Sequence, residues 1–196
     1  MENNKVINVE NLIIEKALQL LKDKSHILIA IDGRCASGKT TLAAGLKEKL
    51  SCEVIHMDDF FLRPDQRTKE RLAIPGGNVD YERFSEEVIN QLNARVDFCF
   101  RPYDCHTGSM KKPVLIRRNT ITVIEGSYSC HPQLWDCYDL HVFLDVDEVV
   151  QRERILARNG KQAAEIFACK WIPLEEAYFN AYKIKERCEI QAFFPC

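Results

Sequence analysis

Eight consecutive residues have the types and spacing needed to bind a chain of phosphates. Residues 33–40 read GRCASGKT and match the phosphate-loop pattern G-x-x-x-x-G-K-[ST] at each fixed position. In such a loop, backbone N–H groups turn toward the phosphates, the lysine places its charge on the β and γ phosphates, and the final hydroxyl binds Mg²⁺. The motif predicts ATP and Mg²⁺ as ligands, and these residues as the nucleotide-binding set: Gly33, Ser37, Gly38, Lys39, Thr40 and Thr41.

The sequence on either side of the loop supports this interpretation. The apolar run at residues 27–31 is typical of a strand buried on both faces, and a helix is expected from Lys39 to about Leu50. A helix that starts there directs the positive end of its dipole at the phosphates. A chance match in a Gly- and Ser-rich turn would lack this strand-loop-helix context.

Acidic residues follow two further predicted strands. Asp58 and Asp59 come directly after residues 53–57, and Glu125 comes directly after residues 121–124. Ligands of open α/β sheets bind at the carboxyl ends of the parallel strands, so these carboxylates are expected near the phosphate loop.

The acids and nearby cations favour phosphoryl transfer to a small alcohol. Such a reaction requires a carboxylate that orients and deprotonates the hydroxyl, which Asp58 or Asp59 supplies. It also requires cations that balance the charge of the transferred group, and Arg154 and Arg158 lie on one face of a predicted helix. The guanine-binding motif N-K-x-D, expected in a GTPase, is absent from the sequence.

Alternation of strands and helices predicts an α/β fold, a three-layer αβα sandwich with a mainly parallel sheet. We expect one domain over residues 1–196, with a β-hairpin insertion at residues 97–116 that turns around Thr107 and Gly108, and a helix stop at Asn159 and Gly160. The predicted strands are residues 27–31, 53–57, 121–124 and 140–144, and the predicted helices are residues 9–22, 39–50, 81–92, 147–158 and 173–188.

Composition excludes several classes of protein. The formal net charge of -2 gives no electrostatic footprint for nucleic acid. No apolar run approaches the roughly 20 residues that span a bilayer, and the opening lacks a signal-peptide layout, so we expect a cytoplasmic protein without a membrane partner. None of the nine cysteines forms a C-x-x-C pair, which favours reduced thiols over a zinc or redox site.

One thiol lies inside the phosphate loop. Cys35 precedes the start of a predicted helix, where the pKa of a thiol tends to fall. On this basis we expect thiol modification to slow the protein's reaction and ATP to protect against it.

Several motifs together resemble the uridine kinase family. GRCASGKTT, HMDDFF, GGNVDYERF, RPYD, VIEGSY and VFLDVDEVVQRERILARN follow one another in the order found in that family, over nearly all of residues 27–178. The family belongs to a wider group of P-loop kinases with phosphoribulokinase and bacterial pantothenate kinase. The resemblance implies transfer of the γ-phosphoryl group of ATP to the 5′-hydroxyl of uridine or cytidine. Uridine kinases are often oligomers, so it also implies a homo-oligomer as one option.

The resemblance also implies roles for individual residues. Asp58 corresponds to the base that takes the proton from the acceptor hydroxyl, whereas Asp59 stands where the family more often has serine. Residues 97–116 correspond to an acceptor-side hairpin, and residues 152–172 to a lid that closes over the triphosphate. The implied substrate set is Phe61, Asp80, Tyr103 and His106, the implied metal set is Thr40, Asp58 and Glu125, and the implied lid cations are Arg154, Arg158 and Lys170.

The acceptor pattern departs from the family at two positions. Cys105 stands where uridine kinases usually have a phenylalanine that stacks on the base, and His106 comes earlier than the family's base-binding histidine. A stacking side chain is worth about 1–3 kcal/mol per base. A kinase of a non-nucleoside alcohol, of sugar or pantothenate type, therefore remains an alternative. An ATP-binding regulatory protein without transfer activity is a third hypothesis.

Overall fold

A computed structural model describes the backbone of residues 2–194 and the side chains of residues 9–193. The helices are Glu2–Leu20 (α1), Lys39–Leu50 (α2), Lys69–Ala73 (α3), Tyr81–Phe84 (α4), Asn90–Ala94 (α5), Glu148–Ile166 (α6), Ile172–Tyr182 (α7) and Ile184–Arg187 (α8). The strands are Ile27–Gly33 (β1), Glu53–His56 (β2), Phe98–Phe100 (β3), Tyr103–Asp104 (β4), Ser109–Met110 (β5), Val114–Ile116 (β6), Ile121–Glu125 (β7), Leu140–Val146 (β8) and Ile190–Phe194 (β9).

Five of these strands form the central sheet. Their order is β2-β7-β1-β8-β9, and each neighbouring pair is parallel. Every residue of β1, β7 and β8 is buried, and separate hydrophobic clusters cover the two faces of the sheet. The predicted three-layer α/β sandwich with a parallel sheet is confirmed.

The carboxyl ends of the strands meet at one edge of this sheet. The phosphate loop follows β1 there, a 3-10 turn Met57–Phe60 follows β2, and Glu125 ends β7. In the register of the sheet, Glu125 lies between Ile31 of β1 and His56 of β2. The sheet therefore brings the phosphate loop and the predicted acids together.

Some predicted boundaries are wrong. The helix stop predicted at Asn159 and Gly160 is confirmed by the non-helical backbone of Gly160 (φ +78, ψ 171), where α6 has a kink. The second helical stretch of α6, which continues to Ile166, was not predicted. The predicted C-terminal helix is divided at Lys183, whose φ is +52. Strand β9, which pairs with β8 at the edge of the sheet, was not predicted.

The predicted hairpin insertion consists of two short antiparallel ladders. Strand β3 pairs with β6 at its base, and β4 pairs with β5 at its tip, where Gly108 turns the chain with a φ of +66. Among the described residues, no helix is long and apolar enough to cross a membrane.

Candidate active site

The phosphate loop has its glycines where only glycine fits. At Gly33 (φ +134) a Cβ atom would lie 2.0 Å from the carbonyl oxygen of Leu144, so this glycine lets β1 pass close to β8. At Gly38 a Cβ atom would meet nothing within 4 Å, so here the positive φ (+100), and not a lack of space, requires glycine. No side chain caps the start of α2, so its N-terminal N–H groups can receive an anion.

Two buried polar side chains complete the loop. Lys39 Nζ donates to the carbonyl oxygens of Gly33 (2.7 Å) and Arg34 (2.8 Å). Ser37 is 2 % exposed, and its Oγ has no hydrogen-bond partner in the described part of the chain. A buried hydroxyl without a partner is costly, and a phosphate oxygen would satisfy it. These residues fit a triphosphate.

Three oxygen-bearing side chains meet beside the loop. Thr40 Oγ1 donates to Glu125 Oε1 at 3.2 Å, and Asp58 lines the same cleft. Hydroxyl and carboxylate oxygens are the ligands that Mg²⁺ prefers, usually with phosphate and water completing the shell. His56 Nδ1 lies 2.5 Å from Glu125 Oε1, and this hydrogen bond raises the pKa of His56.

Asp58 has the electrostatic properties of a general base. Desolvation within the cleft raises the pKa of the carboxyl to about 6, and the Lys39 ammonium opposes that rise. The carboxylates of Glu125 and Glu175 raise the pKa of Asp58 further. A carboxylate with a pKa near 6 is ionised at neutral pH and is a stronger base than an aspartate with an ordinary pKa.

The cleft around these groups has a volume of about 1270 Å³. On the phosphate side, Arg154 Nη1 donates to the carbonyl oxygen of Ala36 (3.2 Å), and Arg158 Nε donates to Asn159 Oδ1 (2.8 Å). The Lys170 ammonium lies over the Trp171 ring, 4.5 Å from its centroid. All three predicted lid cations line the cleft, together with Ser37, Gly38, Lys39, Thr40 and Thr41.

The predicted substrate residues divide into two groups. Phe61 and His106 line the cleft. Asp80 and Tyr103 are not among its lining residues. Asp80 Oδ1 accepts from the backbone N–H of Arg83 (3.1 Å) and Oδ2 accepts from Gln66 (2.8 Å), so this carboxylate caps α4. Tyr103 is 4 % exposed. Both residues nevertheless lie next to the turn that carries Asp58, since the Asp80 N–H donates to the carbonyl oxygen of Phe60 (2.7 Å) and β4 contacts the same turn. Their predicted role in substrate binding stays a prediction.

Solved structures with the same fold were found among kinases. A possible uridine kinase from Bacillus stearothermophilus superimposes with a TM-score of 0.68 at 21% identity over 97% of this chain and 99% of that one. A D-glycerate 3-kinase from Cryptococcus neoformans var. grubii gives a TM-score of 0.66 at 14% identity over 97% and 95% of the two chains. The chain has the fold of a P-loop kinase. No protein-family model matches it.

The structural match confirms, at the level of fold, the resemblance to uridine kinase-like P-loop kinases. A third structure, YFH7 from Saccharomyces cerevisiae, is described as a putative P-loop containing kinase with a circular permutation and gives a TM-score of 0.62 at 10% identity over 95% and 99% of the chains. At such identities the matches show a shared fold and do not identify the substrate of this chain.

A buried acid that was not predicted, Asp32, stabilises the carboxyl end of the central strand β1. Asp32 is fully buried, and its carboxylate accepts from the backbone N–H groups of Gly33 (2.7 Å), Tyr128 (3.1 Å) and Cys130 (2.9 Å) and from the Tyr178 hydroxyl (2.9 Å). Burial raises the pKa of Asp32 to about 6, and these hydrogen bonds oppose the rise. The acid thus joins the phosphate loop to the segment that follows β7.

Asp32→Asn is expected to destabilise the protein by about 2–4 kcal/mol, because the amide turns an N–H toward donors and removes charge-assisted hydrogen bonds. For a chain of this size the melting temperature should fall by about 10 °C. Tyr178→Phe is the matched control, since it removes one of the four bonds and should cost about 1 kcal/mol. Equal melting temperatures for Asp32→Asn and the unmodified protein would contradict this account.

A second unpredicted acid reaches the phosphate loop from α7. Glu175 is 5 % exposed, and its carboxylate accepts from the backbone N–H of Cys35 (2.9 Å) and from Ser127 Oγ (2.7 Å). Burial and this carboxylate raise the pKa of the Cys35 thiol to about 12. The expected fall in the pKa of Cys35 is therefore wrong, and a buried, protonated thiol provides no basis for rapid modification.

Proposed function

We propose that this protein is an ATP-dependent kinase that transfers the γ-phosphoryl group to a hydroxyl of a small metabolite. The observation that carries the proposal is Asp58, a carboxylate with a raised pKa that lines the same cleft as Lys39 and Thr40. A cleft of about 1270 Å³ has room for a nucleotide and a second molecule. An ATP-binding regulatory protein would have no need for a base at this position.

The proposed mechanism is in-line transfer. The phosphate loop and Lys39 hold the triphosphate of ATP, and Asp58 orients the acceptor hydroxyl and accepts its proton. Thr40, Glu125 and Asp58 would hold Mg²⁺, which supplies charge neutralisation at the β and γ phosphate oxygens when bound. Arg154 and Arg158, in the proposed lid of residues 152–172, add positive charge and exclude water that would otherwise hydrolyse ATP.

Two classes of acceptor have support from this chain. The family resemblance favours the 5′-hydroxyl of uridine or cytidine. One observation favours a non-nucleoside alcohol instead: Cys105 stands where the family has its stacking phenylalanine. The proposed acceptor side is the 97–116 hairpin, whose Cys105 and His106 line the cleft.

The proposal is tested by ADP release with Mg-ATP and a panel of alcohols: uridine, cytidine, adenosine, pantothenate, ribose and ribulose 5-phosphate. Stimulation by any of them supports the kinase, and the acceptor that gives the highest kcat/KM identifies the class. ATP binding without stimulation by any alcohol would favour the regulatory protein.

The reaction should depend on the ionisation of Asp58. Since the base is active as the carboxylate and its pKa is raised to about 6, kcat/KM should fall about tenfold for each pH unit below 6 and become constant above about 7. The measurement is kcat/KM for the acceptor between pH 5 and 8 at saturating Mg-ATP. A profile that stays flat down to pH 5 would be evidence against Asp58 as the base.

A further inference from the structure

The acceptor side of the cleft contains a guanidinium group without an acidic partner. Arg67 lines the cleft, and its Nε donates to the carbonyl oxygen of Leu62 at 3.0 Å. Its Nη2 lies 4.0 Å from Cys105 Sγ, at the limit of a hydrogen bond to sulfur. Within the described residues it forms no ion pair with a carboxylate.

Neighbouring arginines of the same region differ in this respect. Arg71 pairs with Glu82 at 2.6 Å, and Arg83 pairs with Glu87 at 3.2 Å. Both therefore stabilise the local fold. Arg67 donates to one backbone carbonyl, and within the described residues its other N–H groups have no oxygen acceptor. A guanidinium in this arrangement can bind an anion.

Cys105 shows that Arg67 and the proposed base face the same space. Desolvation has the largest effect on the pKa of the Cys105 thiol and raises it, whereas the Arg67 guanidinium lowers this pKa and the Asp58 carboxylate raises it. Arg67, Cys105 and Asp58 all line one cleft. An acceptor whose hydroxyl meets Asp58 would thus present its other substituents near Arg67.

Charge balance explains why a cation is useful there. An anionic acceptor that enters a cleft containing Asp58, Glu125 and a triphosphate is repelled, and Lys39 is occupied on the phosphate side. A neutral alcohol needs no such cation. A planar guanidinium matches a carboxylate or a phosphate through paired N–H groups.

We propose that the acceptor is a small alcohol that carries an anionic group, a carboxylate or a phosphate, and that Arg67 binds this group while Asp58 receives the hydroxyl. This inference rests on the proposed function for the role of Asp58, whereas the anion site itself can be tested separately.

The first test uses Cys105 as a reporter for the anion site. Iodoacetate and iodoacetamide both alkylate a thiolate, with formation of the S–C bond and loss of iodide, and only iodoacetate carries a negative charge. The rate ratio of iodoacetate to iodoacetamide at Cys105, measured by peptide mass spectrometry, should fall about tenfold or more in Arg67→Met. The ratio cancels any change in the pKa of the thiol, and the exposed Cys99 is an internal reference.

Arg63→Met is the matched control, because Arg63 is exposed on the same segment, bonds to Gln66 and is not a cleft-lining residue. Its rate ratio should equal that of the unmodified protein. Equal ratios in all three proteins would overturn the inference, whatever the transfer assay shows.

The second test compares matched acceptors: glycerate, glycerol 3-phosphate and glycerol, and ribose 5-phosphate and ribose. Turnover of an anionic member, with KM raised about 10- to 100-fold in Arg67→Met and KM for ATP unchanged, supports the inference. The better anion distinguishes carboxylate from phosphate. If Arg67→Met and the unmodified protein turn over uridine or glycerol equally well, the result supports the kinase activity and rejects the anionic acceptor. No turnover, with an Arg67-dependent labelling ratio, would reject the transfer reaction and retain the anion site.

Discussion

Lys39→Met is expected to lower kcat/KM for ATP by at least about 10³, because the ammonium contributes both to binding and to stabilisation of the charge in the transition state. Lys39 is 8 % exposed, so its charge acts in a weakly screened environment. Methionine keeps most of the apolar stem and removes only the charged end. The measurement combines titration of ATP with the rate of ADP release.

Lys47→Met is the matched control for this substitution. Lys47 lies on the same helix α2, is 56 % exposed and approaches Glu53 only at 4.0 Å. Its replacement should leave kcat/KM within about twofold, since an exposed ion pair of this kind contributes little. If Lys39→Met retained full activity, the phosphate loop would have to bind something other than the reacting triphosphate.

The parts of the site that could be predicted depend on local sequence. The phosphate loop is a contiguous motif between a buried strand and a helix, so its residues and their positions follow from spacing. Asp58 and Glu125 could be placed near the loop because the carboxyl ends of parallel strands meet at one edge of a sheet. This prediction requires no information about side-chain packing. Asp32 carries a similar signal, since an acid within a buried strand requires hydrogen-bond partners.

The parts that could not be predicted depend on contacts between distant segments. Glu175 reaches the Cys35 N–H across 140 residues of sequence, and its own neighbourhood is that of an ordinary amphipathic helix. The raised pKa of Cys35 follows from this contact and could not be expected from the helix start alone. Strand β9 is a short edge strand near the end of the described chain, where periodicity over five residues is a weak signal.

Asp58→Asn is the substitution that isolates the chemical step. The amide is nearly isosteric with the carboxylate and cannot accept the proton, so kcat should fall by about 10²–10⁴. Because desolvation in the cleft penalises the ionised carboxylate, the neutral amide should be tolerated in the fold, and the melting temperature should not fall. Since Asp58 is also a proposed Mg²⁺ ligand, ATP binding is compared without Mg²⁺. There ATP should bind at least as tightly as in the unmodified protein, because a negative charge near the triphosphate has been removed. The measurements are kcat from ADP release, the dissociation constant for ATP and thermal unfolding.

Asp59→Asn separates the base from its neighbour. Asp59 follows Asp58 in the same 3-10 turn, and the cleft is lined by Asp58 and not by Asp59. Burial raises the pKa of Asp59 as well, so a raised pKa alone does not distinguish the two acids. Position distinguishes them, because Asp58 lines the cleft and Asp59 does not. Asp59→Asn should therefore retain kcat within a few-fold. A large loss in Asp59→Asn together with full activity in Asp58→Asn would assign the base to Asp59. Comparable large losses in both variants would mean that the turn, rather than one carboxylate, sets the rate.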